Sequence, residues 1–149
     1  MKISTLPGLS ALLLTGMCVL CPAQDKPEKT QPASVYSELK KAPAKYQAKA
    51  NPLAKDKDAA AAGKVLFEEH CAECHGENAL GSKKAPSLRA KEVQEAAPGT
   101  LFWIVTNGIV RKGMPVWSKL PEPQRWQLVT YVQSLGPGGP IETKAADKP

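Results

Sequence analysis

The chain has few of the residues that small proteins use to hold, cross-link or react. Its 149 residues include four cysteines, two histidines and three methionines, and aromatic side chains make up only 5%. Two of those cysteines, Cys18 and Cys21, fall in a stretch that reads as an export signal. Lys2 supplies a positive start, Leu9 to Leu20 is an apolar run too short to cross a bilayer, and Cys21-Pro22-Ala23 offers small residues before a cut after Ala23. On that reading residues 1–23 leave, and with them Met1 and Met17. Cys71 and Cys74 are then the only cysteines and Met114 the only methionine. A disulfide framework is excluded. So is a zinc site, because no second ligand pair stands at loop distance and His70 shares a helical stretch with the Cys pair. No apolar run is left to span a membrane, so the expectation is a periplasmic, exported protein. An uncleaved anchor is one lesser alternative, and a lipid-anchored form on Cys18 or Cys21 another, disfavoured because Met17 and Leu20 precede them rather than a small residue. No period-two alternation suggests a sheet.

What is present in quantity is charge and proline. The net charge is +6 and there are 14 prolines. No nucleic-acid motif accompanies the positive charge, so a nucleic-acid partner is not expected. The prolines divide the chain: 24–52 reads as a Pro/Lys/Ala-rich flexible leader, 53–136 as the folded domain, and 137–149 as a disordered tail. A domain this small benefits from a covalent staple.

That staple is written at Cys71-Ala72-Glu73-Cys74-His75. Two thiols about one helical turn apart, with a histidine next, form a c-type haem attachment motif. The thiols add to the two vinyl groups along one haem edge, and His75 then stands beneath the iron as an imidazole ligand. A thioredoxin-like pair would need a βαβ setting, which is lacking. The free N–H of His75 needs an acceptor to fix the ring, and a carbonyl near Pro86 is the candidate. Leu88 is expected to touch the porphyrin. Met114 sits between Gly113 and Pro115 in an irregular stretch, where core filler is less expected than a soft thioether ligand for the iron. Trp117 should screen that side from water, and Trp103 can reach a propionate or the haem edge. The metal ligands are thus expected to be His75 and Met114.

Helical periodicity frames these residues. Asp58 is a candidate N-cap for a helix running to His70, with Gly63, Leu66 and Phe67 on one face. Gly63 costs about 1 kcal/mol there against alanine, which makes sense where another helix crosses closely. Gly76 to Leu88 reads as a loop. A short polar helix is expected over Arg89 to Ala97, then a second helix capped by Thr100 and ending at Gly108. Pro121-Glu122-Pro123 opens the last helix, on which Leu128, Tyr131, Val132 and Leu135 recur at three- and four-residue spacing.

From Asn51 to Leu135 this pattern resembles the class I c-type cytochromes, small His/Met monohaem electron carriers and their fused or subunit domains. The resemblance implies an all-α fold, three to five helices wrapped around one covalently attached haem c. It implies that the first and last helices cross at Gly63, with Phe67, Leu128 and Tyr131, and that Pro86 accepts from His75. It also implies an electron carrier rather than an enzyme, a monomer or an enzyme subunit. The implied partners are redox proteins, a dehydrogenase as donor and a terminal oxidase or another cytochrome as acceptor. A tightly bound cytochrome subunit of a quinoprotein dehydrogenase is the alternative, and a haem enzyme or gas sensor a more distant one. The loop after His75 has fewer glycines than many relatives show.

Overall fold

A computed structural model describes residues 33–136; the expected signal, the first part of the leader and the tail lie outside them. A 3₁₀ stretch, Ala33–Lys41, comes first, followed by the single turn α1, Ala44–Gln47. Three helices of ten residues or more then carry the domain: α2, Lys57–His70; α5, Pro98–Asn107; and α6, Glu122–Ser134. Between them lie two one-turn helices, α3 over Ala72–His75 and α4 over Lys91–Gln94. Among the described residues the only β-type pairing is an isolated antiparallel bridge between Ile109 and Met114. The architecture is therefore all-α.

Helix α2 begins two residues earlier than its sequence suggested. Asp56, not Asp58, is the cap: its Oδ1 accepts from the N–H groups of Asp58 at 2.9 Å and Ala59 at 3.0 Å. Either aspartate satisfies the capping preference, so composition alone could not choose. Helix α5 also starts earlier, with Pro98 in the first position, where its missing N–H costs nothing. Thr100 is consequently buried within the first turn rather than capping it. The polar helix expected over Arg89 to Ala97 shrinks to Lys91–Gln94, because Arg89 and Ala90 are held in the preceding loop.

Two apolar clusters form the core. Phe67 on α2 packs with Leu128 and Leu135 of the last helix and with Ala79 of the loop after His75. The rings of Phe67 and Tyr131 lie 5.3 Å apart at 50°. On the other side of α6, Trp126 and Val129 pack with Leu101, Phe102, Val93 and Tyr36. Phe102 and Trp126 stack at 4.2 Å. Each of these large side chains contributes on the order of 1.5–3 kcal/mol by leaving water. The α2–α6 crossing is close enough to exclude any side chain at Gly63: a Cβ there would stand 2.1 Å from the Gln127 carbonyl oxygen.

The expectation of a flexible leader fails over residues 33–52. That segment is a strap packed along the domain. Tyr36 is buried in the second cluster and its hydroxyl donates to the Ser87 carbonyl at 3.1 Å. Buried Asn51 donates from Nδ2 to Thr130 Oγ1 at 2.9 Å. The start of α5 fits against the strap so tightly that a Cβ on Gly99 would meet the Tyr46 carbonyl at 1.8 Å. Proline content suggested disorder, but Pro43 instead starts α1, where proline is tolerated.

Glu38 fastens the strap to the opposite loop. Its carboxylate, almost wholly covered, accepts from Lys41 at 2.9 Å and from Arg111, with Lys112 at 3.6 Å. The Lys41 ammonium is the largest influence, followed among the cations by the Arg111 guanidinium. Together they overcome desolvation and hold the carboxyl at about 2, against 4.5 ordinarily. A depressed carboxylate pKa stabilises the fold above the unfolded value and loses that contribution as pH falls through the folded one. Acid titration should therefore weaken the strap between about pH 4.5 and 2. Thermal unfolding followed across that window should fall less steeply for Glu38→Gln than for the native chain; parallel slopes would show that the clasp carries no linkage.

Candidate haem site

Helix α2 ends at His70 and the chain turns once through α3, which places Cys71, Cys74 and His75 together. The turn is closed by the Cys71 carbonyl, which accepts from the N–H of Cys74 at 3.1 Å and of His75 at 2.9 Å. Both thiols and the imidazole are half-buried. Burial is the main cause that lifts Cys71 to about 11, with Cys74 adding to it, so the thiol stays protonated at neutral pH.

Nδ1 of His75 lies 2.9 Å from the Pro86 carbonyl oxygen. A carbonyl can only accept, so Nδ1 carries the proton and Nε2 keeps its lone pair. Burial pushes the imidazole below its usual pKa, and the Pro86 carbonyl opposes that only in part. The result is a neutral ring, held in one tautomer, with its ligating nitrogen free.

The loop that supplies Pro86 is itself held. Gly81 donates to the His75 carbonyl at 2.8 Å, and Leu88 donates to Ala79 at 2.8 Å. Buried Arg89 spans the loop and the last helix, donating from Nε to the Asn78 carbonyl and from Nη1 to the Leu135 carbonyl, both at 2.8 Å. Nothing in the sequence marked Arg89; a buried arginine with carbonyl partners has no local signature. Leu88 is half-buried and touches both apolar clusters.

Met114 belongs to a separate loop. Its backbone bridges to Ile109, with N–H to carbonyl distances of 3.0 and 3.3 Å. Just before it Val110–Lys112 makes a 3₁₀ turn, and Gly113 follows at φ 89°. Nothing lies within 4 Å of where a Gly113 Cβ would be, so the left-handed turn, not a close neighbour, is what requires glycine. Met114 is half-buried. Trp117 donates its backbone N–H to the Val105 carbonyl at 3.3 Å, which ties this loop to α5, and its ring lies 5.0 Å from His70 beside the Cys pair. Trp103 is half-buried on α5. Sequence reasoning missed His70 as the neighbour of Trp117.

Among the described residues no cluster of three His, Cys, Asp or Glu side chains is arranged to hold a bare metal ion. The donor set suits a porphyrin instead: two adjacent thiols, one oriented neutral imidazole, one thioether on another loop, and half-buried Leu88 and Trp117 on the same two loops. The residues fit haem c.

Comparison with known proteins agrees with this geometry. Residues 58–132, just over half of the chain, match the family model for cytochrome c oxidase, cbb3-type, subunit III. The chain belongs to that family. This cytochrome domain is of the kind that binds covalently attached haem c, and its role is electron transfer. Relatives include the cbb3-type cytochrome c oxidase subunit CcoP of Azospirillum brasilense, 38% identical over 104 residues, which covers 64% of this chain and 35% of that protein. CcoP of Rubrivivax gelatinosus is 32% identical over 126 residues, 83% of this chain and 39% of its own length. FixP of Bradyrhizobium sp. (strain ORS 278) is 40% identical over 84 residues, 53% of this chain and 28% of that protein. The chain thus spans about a third of the length of the curated relatives it matches. Among solved structures, cytochrome CL from the marine methylotroph Methylophaga aminisulfidivorans MPT is similar at a TM-score of 0.50 and 27% identity, covering 57% of this chain and 58% of that one.

These relatives overturn the expectation of a periplasmic, freely exported protein. CcoP and FixP are membrane-anchored oxidase subunits that carry the haem domain on the periplasmic side. An apolar N-terminal run does not by itself tell a cleaved leader from an anchor. No helix among the described residues is long and apolar enough to cross a membrane.

Proposed function

We propose that this cytochrome domain relays single electrons to a cbb3-type oxidase, using one haem c attached through Cys71 and Cys74 and ligated by His75 and Met114. The observation that carries the ligand assignment is the 2.9 Å bond between His75 and Pro86, which leaves only Nε2 to bind iron. When bound, the haem would supply a ferrous–ferric couple, held by the His75 imidazole and the Met114 thioether. The chain's part is to hold the imidazole neutral and oriented, to keep the sulfur in place from a separate loop, and to limit water. A thioether favours the ferrous state, and a drier pocket disfavours the extra positive charge of the ferric one, so both raise the potential.

Support for the oxidase as electron acceptor comes from the family and its CcoP and FixP members. The surface fits brief docking. Val110 and Val116 flank Met114 and are exposed, and Lys83 is exposed beside the other loop. Steering by charge is weaker than the lysine count suggests. Lys84 pairs with Glu73 at 2.8 Å, and Arg111 and Lys112 pair with Glu38, so these cations are partly neutralised locally.

The test is in two steps. Intact mass should show one haem added and neither Cys71 nor Cys74 open to alkylation. The reduced protein, mixed with oxygen and a cbb3-type oxidase depleted of its own subunit III, should then reoxidise in a one-electron step. Free thiols would remove the haem assignment. A haem protein that stays reduced with the oxidase but is turned over by a dehydrogenase would move the partner to that class.

A further inference from the structure

The strap over residues 33–52 lies wholly outside the family match, which begins at Asp58. It nevertheless reaches the loop that holds Met114. Among the described residues Glu38 and Arg89 are the buried charged side chains, and Glu38 meets cations from two elements. Lys41 comes from its own 3₁₀ stretch. Arg111 and Lys112 come from the 3₁₀ turn that ends two residues before Met114. That turn leads directly into the Ile109–Met114 bridge, so its position fixes the height of the methionine backbone. The other ties of this loop to the domain are the Ile109 bridge, the Trp117 backbone N–H on the Val105 carbonyl and the contact of the Trp117 ring with His70. Arg111 and Val110 are otherwise exposed. A loop with so little buried surface opens readily unless something clamps it.

We propose that Glu38 is a positioning residue: through Arg111 and Lys112 it clamps the Met114 loop and keeps the sulfur seated on the iron. The proposal rests on the reading of Met114 as an axial ligand. The rest of the strap serves a different task. Tyr36 anchors it to the core and to Ser87, on the histidine side of the domain, far along the chain from the methionine loop.

That division supplies the test. The haem-loaded ferric protein is titrated with imidazole at neutral pH while the far-red sulfur-to-iron absorption band is followed. Imidazole replaces Met114 only when the loop opens, so its apparent affinity reports the opening equilibrium. Glu38→Gln should raise that affinity about fivefold, the upper range for a partly exposed ion pair. Arg111→Gln, whose side chain is largely exposed and should not impair folding, should do nearly the same, and the double variant should add little. Tyr36→Phe should lower the unfolding temperature and leave imidazole affinity unchanged. Glu38→Gln and Arg111→Gln with native affinity would overturn the clamp, whatever their melting temperatures. An equal rise in Tyr36→Phe would also overturn it, since the effect would then belong to strap anchoring in general. If the native protein lacks the far-red band from the start, the failure lies with the ligand assignment.

Discussion

Replacing Met114 by alanine should leave a folded haem protein with an open iron face and a lower potential. The side chain is half-buried in a loop whose backbone is fixed by the Ile109 bridge, so its truncation removes a ligand without removing a core residue. Folding should therefore survive, because the large buried side chains lie elsewhere, on Phe67, Trp126 and Val129. The far-red band should vanish, and carbon monoxide, slow to enter the native ferrous protein, should bind rapidly. Loss of the thioether removes its preference for ferrous iron. Axial ligands set haem potentials over roughly 0.8 V, and a fall on the order of 0.1–0.3 V is expected here. Met114→His separates two causes. It should lower the potential as well, yet keep the face closed to carbon monoxide. If Met114→Ala kept both the native potential and the native resistance to carbon monoxide, another group would be the ligand.

The parts of this molecule that were legible in the sequence are those whose chemistry is local. Cys71, Cys74 and His75 are separated by covalent spacing alone, and the Pro86 acceptor follows from one unsatisfied N–H. Gly63 was legible for a related reason: a glycine within a helix has a cost that only a close neighbour explains. Helix boundaries were less so, since Asp56 and Asp58 are equivalent caps until the chain's path selects one. The strap was hidden because the contacts that seat it on the domain are non-local. Tyr36 reaches Ser87 across 51 residues, Glu38 reaches Arg111 across 73, and Asn51 reaches Thr130 across 79. Read alone, such a segment shows only prolines and lysines, and these look like solvation. Arg89 was missed on the same ground. Its partners are backbone carbonyls at Asn78 and Leu135, and carbonyls have no letter in the sequence.

Gly63→Ala should be among the costliest single methyls that can be added to a helix of this domain. Propensity argues the other way, because alanine is favoured over glycine inside a helix by about 1 kcal/mol. Geometry decides the sign. The new Cβ would lie 2.1 Å from the Gln127 carbonyl oxygen, 2.6 Å from its carbon and 2.9 Å from Tyr131 Cβ. Two of those three atoms are backbone in α6, so no side-chain rotation relieves the clash and the helices must part. Parting them loosens Phe67 against Tyr131 and Leu128, where burial is nearly complete. Overpacking costs typically 1–3 kcal/mol where side chains can adjust, and here a net loss of about 3 kcal/mol or more is expected. That is a large fraction of the 5–15 kcal/mol by which domains are ordinarily stable. Because α2 runs straight into Cys71, the shift should also disturb the attachment site and reduce the yield of haem-loaded protein. Denaturant midpoints of the haem-loaded protein would measure the loss, with Ala61→Gly on the exposed face of α2 as the comparison. That variant should lose only about 1 kcal/mol. A Gly63→Ala protein as stable as the native one would mean that the two helices do not meet where their backbones now touch, and the frame that presents His75 would have to be built differently.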